Sequence, residues 1–329
     1  MNLNRRNALS LLTGAAIAPA TRAFAQQGYP SSTVTIELPL APGTGGDALV
    51  RIYADALQTT LGKPVVVKNA PGAALMIAAI DISKAQPDGL TLMMTVSSTL
   101  TINPVLYKVM PYNADKDFAP ISLYVKSPFT LVVGADSPIK TARDLVAAAK
   151  ANPGKLNFGS LGIGTMQHLS MELVMDQFGV KLNHVPYRAT PQQTTDIASG
   201  NVDVGFVEAA APQGLIRDGK LRPLAVTSGA RFTMYPDVPT LAEAFDTPGL
   251  EAVSWHVMMA PAATPRAVIE RLHQEMNKIT GSADFKAKAT DLGLLPIDSP
   301  SLDGIASFIK SEQDRWGGLI KKIGIAGTQ

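Results

Sequence analysis

The chain has 329 residues, 46% of them hydrophobic and 17% charged, which is enough for two domains with a core each and too apolar for a disordered chain. Its formal charge is +2, but the first 25 residues hold three arginines and no acid, so from Gln26 onward 26 basic side chains face 27 acidic ones. That near-neutral balance excludes a charge-driven nucleic-acid or membrane-surface binder, and the lack of cysteine excludes disulfides, a thiol nucleophile and cysteine-ligated metal.

The N-terminus reads as an export signal. Arg5 and Arg6 precede a moderately apolar stretch from Ala8 to Ala18, and Ala23, Phe24 and Ala25 form a small-residue cleavage site, so residues 1–25 are expected to be removed near Ala25. The arginine pair, Thr13, Gly14 and the extra Arg22 resemble a twin-arginine signal; Ala8 and Ser10 stand where that motif prefers Phe and Lys, which leaves the general secretory route open. Either route predicts a periplasmic protein. No later apolar run reaches the length of a membrane span.

From Thr33 the pattern alternates strand and helix. Thr33 to Leu38 is strand-like, and Asp47 to Leu61 carries a helical stripe of Leu49, Ile52, Tyr53, Ala56, Leu57 and Leu61, closed by Gly62. A strand is expected at Val65 to Val67, a helix at Ala73 to Lys84, and a strand from Leu90 to Val96 ending at Ser97, Ser98 and Thr99. A second cycle follows Ile121 to Lys126: strands at Thr130 to Val133, Leu156 to Phe158, His184 to Tyr187, Val202 to Val207 and Leu221 to Thr227, with helices at Ala142 to Lys150, Thr165 to Phe178 and Pro191 to Ser199. After a strand at Ala252 to Ala260 the chain is helical, at Pro265 to Ile279, Ala283 to Leu292 and Leu302 to Ile323, as if returning to cover the first lobe. This spacing predicts an α/β protein with mostly parallel sheets.

Two glycine-rich turns occupy equivalent places, each between a strand and a helix: Pro39 to Asp47 (PLAPGTGGD) and Gly159 to His168 (GSLGIGTMQH). A glycine turn that opens a helix offers unpaired backbone N–H groups and the positive end of the helix dipole, which suits a carboxylate or phosphate. The bland alternative is a turn that only packs helix on strand. Gly43, Gly45 and Ala48 fit a dinucleotide fingerprint, but Lys68 and Asn69 stand where its ribose-binding acid is expected, and no G-K-[ST] follows.

Catalytic and metal motifs are absent. There is no G-x-S-x-G elbow, and the string Ser307 to Lys310 lies within an amphipathic helix. His168, His184, His256 and His273 are scattered without H-E-x-x-H spacing. His273 reads as solvated, and His184 and His256 as hydrogen-bonded structural residues. His168, in the first turn behind the second glycine loop, divides between a site and a packing role. Arg188, just past the strand ending at Tyr187, is placed to meet a carboxylate or to be a surface arginine; Glu208, past the next strand, to meet an ammonium or hydroxyl or to cap a helix.

Further motifs occur in order along the chain: Lys68-Asn69-Ala70-Pro71-Gly72, Gln86-Pro87-Asp88-Gly89, Ile102-Asn103-Pro104, Asp117-Phe118-Ala119-Pro120, His184-Val185-Pro186-Tyr187, Gly219-Lys220-Leu221-Arg222, Tyr235-Pro236-Asp237-Val238-Pro239-Thr240, and Ala260-Pro261 with Thr264-Pro265. With PLAPGTGGD they closely resemble the Bug family, the TctC-like extracytoplasmic solute receptors of tripartite tricarboxylate transporters. The resemblance implies a two-lobed periplasmic-binding-protein fold, type II-like, with a ligand cleft between the lobes. It also implies a monomer without cofactor or metal, whose partners are a small carboxylate ligand and the membrane subunits of such a transporter.

The lobes are expected at residues 26–124 with 255–329, and at 125–254. Carried over position by position, the resemblance nominates Ala41, Gly43, Thr44, Gly45 and Asp47 from the first turn and Ser160, Gly162, Gly164, Thr165 and His168 from the second, with Ser97, Ser98, Thr99, Tyr187, Arg188 and Glu208 around the same cleft. Where the family commonly reads Phe-Asp-Asn this chain has Phe206-Val207-Glu208, and Ile163, Gln167, Ala73 and Ala74 replace small polar residues or glycines. The Asp that could meet an amino group is Val207 here, so an amino-acid ligand held through it is not expected, and a less polar distal pocket suits an organic acid with an apolar or aromatic body. An exported α/β enzyme acting on a small acid, or the sensor subunit of a membrane histidine kinase, are the alternatives.

Overall fold

The structure, a computed structural model, describes residues 28–329; the expected export signal lies outside the described residues. Strands β1 (Val34–Leu38), β2 (Val65–Asn69), β3 (Thr91–Val96) and β4 (Phe118–Ser127) begin one sheet. The next five, β5 (Phe129–Gly134), β6 (Asn157–Ser160), β7 (Asn183–Pro186), β8 (Val204–Glu208) and β9 (Leu221–Val226), form a second, before β10 (Ser254–Pro261) and β11 (Leu295–Pro296) rejoin the first. The strand orders are β11-β4-β10-β3-β1-β2 and β7-β6-β8-β5-β9.

Local sequence explains the elements beside the glycine turns. Helix α1 (Gly45–Leu61) is capped by the Thr44 hydroxyl, which accepts from the Asp47 N–H, and it ends where Gly62 takes φ 67°. Its stripe of Leu49, Tyr53, Leu57 and Leu61 is buried against the first sheet. Helix α6 (Met166–Phe178) repeats the plan, with Thr165 as cap and Gly179 as the left-handed terminator.

The expected helix from Ala73 is broken. Ala73, Ala74 and Leu75 have φ of 45°, 52° and 71°, a left-handed turn, and α2 (Met76–Ser83) begins only after it. Hydrophobic periodicity carries no information on handedness, and what holds the turn is tertiary: the Asn103 Nδ2 donates to the Ala74 carbonyl at 2.9 Å. Ser97, expected as the end of a strand, instead opens the short helix α3 (Ser97–Thr101), followed by α4 (Asn103–Leu106).

The sheets are mixed, not mostly parallel. β2, β1 and β3 run parallel, as do β7, β6 and β8, but β10 is antiparallel to both its neighbours and β5 to both of its own. The cause is the crossover: with Pro128 as the only residue between β4 and β5, the chain passes straight from one sheet into the next. It returns beside that crossing, where the Ala252 N–H donates to the Thr227 carbonyl at 3.0 Å and Ser254 pairs with Ser127.

Helices α5 (Ala142–Ala151), α7 (Thr190–Ala198), α8 (Gln213–Arg217) and α9 (Leu241–Phe245) accompany the second sheet, and α10 (Arg266–Gly281) and α11 (Ala283–Asp291) the first. Helix α12 (Leu302–Lys322) does more than cover the first core. Leu302, Ile305 and Ile309 belong to that core, whereas Trp316, Leu319 and Ile320 join the second, together with Ile102 and Leu106. Between these halves the buried Glu312 carboxylate accepts from Trp255 Nε1 at 3.2 Å and Trp316 Nε1 at 3.0 Å, tying β10 to α12.

Candidate functional site: the cleft between the two sheets

A cavity of about 570 Å³ lies between the sheets. Gly45, Gly46, Ser98, Leu75 and Leu292 to Leu294 line it from the first-sheet side, and Thr165, Met166, Gln167, Thr190 and Glu208 from the second. Ser127, Pro128, Phe129 and Ser254 line it where the chain crosses. Volume and mostly apolar walls suit a small organic molecule.

The first glycine turn is pinned by Asp47. Its carboxylate accepts from Gly43 N at 2.9 Å, Asn69 Nδ2 at 2.8 Å, and Arg51 Nε and Nη2 at 3.2 and 2.9 Å. Burial alone would raise its pKa, but these hydrogen bonds and the guanidinium charge bring it down to about 2. The Thr44 cap takes the Asp47 N–H, leaving the Gly45 and Gly46 N–H groups on the cavity wall without a protein acceptor among the described residues. A Cβ at Gly46 would lie 2.4 Å from Leu40 Cδ1, so a larger residue there would have to displace the Leu40 side chain.

The second turn is held from within. Ser160 Oγ lies 2.6 Å from His184 Nε2 and accepts from Gly162 N at 3.1 Å, while Thr165 Oγ1 donates to the Gly162 carbonyl at 2.8 Å. His168 accepts from Gly164 N at 3.4 Å and lies with its ring centroid 4.4 Å from that of His184 and 5.9 Å from that of Phe158. Burial, with His184 beside it, pushes the His168 pKa down to about 4, and burial also lowers His184. The imidazole stays neutral even though Glu172 Oε1 stands 3.5 Å from Nε2, because burial outweighs that contact. Thr165 caps α6, so the N–H groups of Met166 and Gln167, also on the cavity wall, have no protein acceptor among the described residues.

The floor holds a hydroxyl row and one imidazole. Ser254 Oγ, on the wall, meets Ser97 Oγ, which is off the lining, at 2.9 Å, and Ser127 Oγ meets His256 Nε2 at 2.9 Å. His256 Nδ1 is buried and unpartnered, and burial depresses the ring pKa to about 4. A serine and a histidine in contact invite comparison with a nucleophile and base, but among the described residues no acid bonds the free nitrogen, and so low a pKa makes a weak base at neutral pH. Among the described residues no group of three or more His, Asp or Glu side chains is arranged to hold a metal ion.

Of the residues nominated from sequence, Thr44, Gly45, Ser98, Thr165 and Glu208 line the cavity. Ala41, Gly43 and Gly162 shape the turns without reaching the wall, and Asp47, Ser160 and His168 hold them from behind. Gly164 faces Leu106, not the cavity. Ser97 and Thr99 are buried in α3, where Thr99 accepts from the Thr95 hydroxyl at 2.7 Å. Tyr187 is buried with its hydroxyl on Asp196 at 2.9 Å, and Arg188 is exposed and off the lining.

Sequence reasoning missed His256 and Thr190 as wall residues, and with them Leu75 and the Leu292 to Leu294 segment, while Gln167, read as a departure shaping the pocket, does line it. For Gln167 the signal was its place beside the second cap; Leu292 to Leu294 reach the cleft only through the return of α11.

The sequence profile described as the tripartite tricarboxylate transporter family receptor, TctC, matches residues 49–325. A UPF0065 protein of a Pseudomonas species is 35% identical over 328 residues, covering 100% of this chain and 97% of its own. The BugT protein of Bordetella pertussis is 32% identical over 297 residues, 90% of each chain. Among solved structures, the R. palustris protein Rpa4515 with adipate has 30% identity and a TM-score of 0.78, over 91% of this chain and 99% of that one. The two-sheet architecture is thus the periplasmic-binding-protein fold, and the chain belongs to the TctC family, the Bug-type receptors of tripartite tricarboxylate transporters.

Proposed function

We propose that this protein captures a small carboxylate in the cleft between its two sheets and delivers it, as a monomer, to the membrane subunits of a tripartite tricarboxylate-type transporter. The observation that carries this reading is the pair of helix N-termini on one cavity: Gly45, Gly46, Met166 and Gln167 all line it, and their N–H groups have no protein acceptor among the described residues. Such groups stabilise an anion without a counter-cation. The lobes are residues 26–124 with 255–329, and 125–254, closing about the crossings near Ser127 and Ser254 once the signal has been cut near Ala25.

The ligand leaves unchanged. The Ser127–His256 contact lacks the third group that would make it a catalytic set. A thermal-shift screen of mono- and dicarboxylates, aromatic acids and amino acids, each acid paired with its amide, tests the receptor reading. Acids are expected to raise the unfolding temperature and their amides to fail; equal shifts for acid and amide would refute it. Mass spectrometry of the best ligand after incubation should show no protein-dependent conversion, and steady conversion would favour the enzyme reading.

A further inference from the structure

Charge on the cavity wall is one-sided. Among the described residues Glu208 is the only aspartate, glutamate, lysine or arginine that lines the cavity, so the cleft holds its anion with backbone dipoles while presenting a carboxylate of its own. Glu208 closes β8, half-buried, with Oε1 accepting from Gln167 Nε2 at 3.0 Å and Oε2 from Thr190 Oγ1 at 3.1 Å. Both donors are neutral, and Glu208 forms no ion pair with a cationic side chain among the described residues. A carboxylate accepts about four hydrogen bonds, so each oxygen retains room for one more donor. The nearest candidate counter-charge by sequence, Arg188, is exposed and off the lining.

We infer that Glu208 is the specificity-determining residue of the cleft: held rigid by Gln167 and Thr190, it accepts a hydrogen bond from an ammonium or hydroxyl group on the ligand and disfavours a second carboxylate. The inference rests on the carboxylate-receptor reading and narrows it to acids that carry a hydrogen-bond donor. A donor facing Glu208 forms a charge-assisted hydrogen bond. A second carboxylate there meets like charge with no cation to offset it. Val207 does not bear on this, since it is fully buried in the β8 core and the carboxylate one residue on is the one that reaches the cavity.

The test is calorimetric titration at neutral pH with hexanoate, its α- and ω-hydroxy and α- and ω-amino derivatives, adipate and hexanamide, on the wild type, Glu208→Gln and Glu208→Asp. At least one hydroxy or amino acid is expected to bind the wild type about tenfold more tightly than hexanoate, and adipate more weakly than hexanoate. Glu208→Gln should erase the donor advantage and tighten adipate several-fold. Glu208→Asp keeps the charge and should keep adipate disfavoured, and ligand-free unfolding temperatures verify that both variants fold. Adipate binding the wild type more tightly than hexanoate, or an order of acids unchanged in Glu208→Gln, overturns the inference while leaving the carboxylate reading intact. Hexanamide binding as well as hexanoate removes both.

Discussion

The two glycine turns share one local plan and differ in what holds it. Each follows a strand, ends in a threonine cap and opens a helix whose first residues line the cavity. The first turn is exposed from Ala41 to Gly45 and braced by charge, through Asp47, Arg51 and Asn69. The second is buried at Ser160, Gly164 and His168, and braced by an aromatic and imidazole stack beneath it and by Leu106. The same anion-holding geometry is thus stabilised once from solvent and once from the core, so the two halves of the cleft should respond differently to volume, acid and salt.

The largest expected effect is steric. Gly164 has φ 79°, and a Cβ on it would lie 2.2 Å from Cδ2 of the buried Leu106. Gly164→Ala should cost about 3 kcal/mol in denaturant unfolding, from overpacking added to the left-handed backbone. Gly43 has φ 83° with nothing within 4 Å of its Cβ position, so Gly43→Ala should cost about 1 kcal/mol. Equal costs would break the comparison.

Acid comes next. The His168 pKa falls from its usual 6.5 to about 4 on folding, so the unfolded chain takes up the proton first. Stability from this group is complete above pH 6.5 and drains away as pH falls toward 4, by on the order of 2–3 kcal/mol. Asp47, lowered from 3.8 to about 2, contributes stability that is present above pH 3.8 and lost only as pH falls through 2. The second turn should therefore loosen first. His168→Phe should reduce the slope of unfolding free energy between pH 6.5 and pH 4, leaving the part due to His184; an unchanged slope would mean that the histidine pair is not the acid-sensitive brace.

Charge has a smaller expected effect on the first turn. Asp47→Asn keeps the shape but loses the charge-assisted bonds to Arg51, and about 1–2 kcal/mol of stability should go with it. Salt should weaken the wild type's advantage over this variant, because Arg51 is half-exposed, with 48% of its side chain accessible. The smallest effect tests the shared feature. Thr44→Ala and Thr165→Ala should each cost about 1 kcal/mol in chemical unfolding, since each removes one cap. A large difference between them would mean that the two caps are not equivalent.

Much of the site was legible where chemistry is local. A threonine three residues before the N–H it caps, a glycine that permits positive φ and a helix stripe behind them lie within about twenty residues, so both turns could be located. Residues that act through distant partners could not. Asp47 and His168 read as cleft residues because they sit beside the glycines, yet their partners Asn69 and His184 turn them away from the cavity. His256 read as structural because nothing near it in sequence announces a cleft; it reaches the wall because β10 lies between β3 and β4 at the crossing.

By itself the sequence determined the alternation of strand and helix, the two capped glycine turns and the family motifs, all of which follow from short-range periodicity, backbone permissiveness and residue order. Tertiary structure decided the rest. The antiparallel course of β5 and β10 arises from a crossover with one residue to spare, and the left-handed turn at Ala73 to Leu75 is held by Asn103. The division of α12 between two cores depends on where Glu312 meets two tryptophans. That Glu208 is, among the described residues, the sole Asp, Glu, Lys or Arg side chain on the wall depends on which neighbours line the cavity, and those are set by the packing of two sheets against each other, not by spacing along the chain.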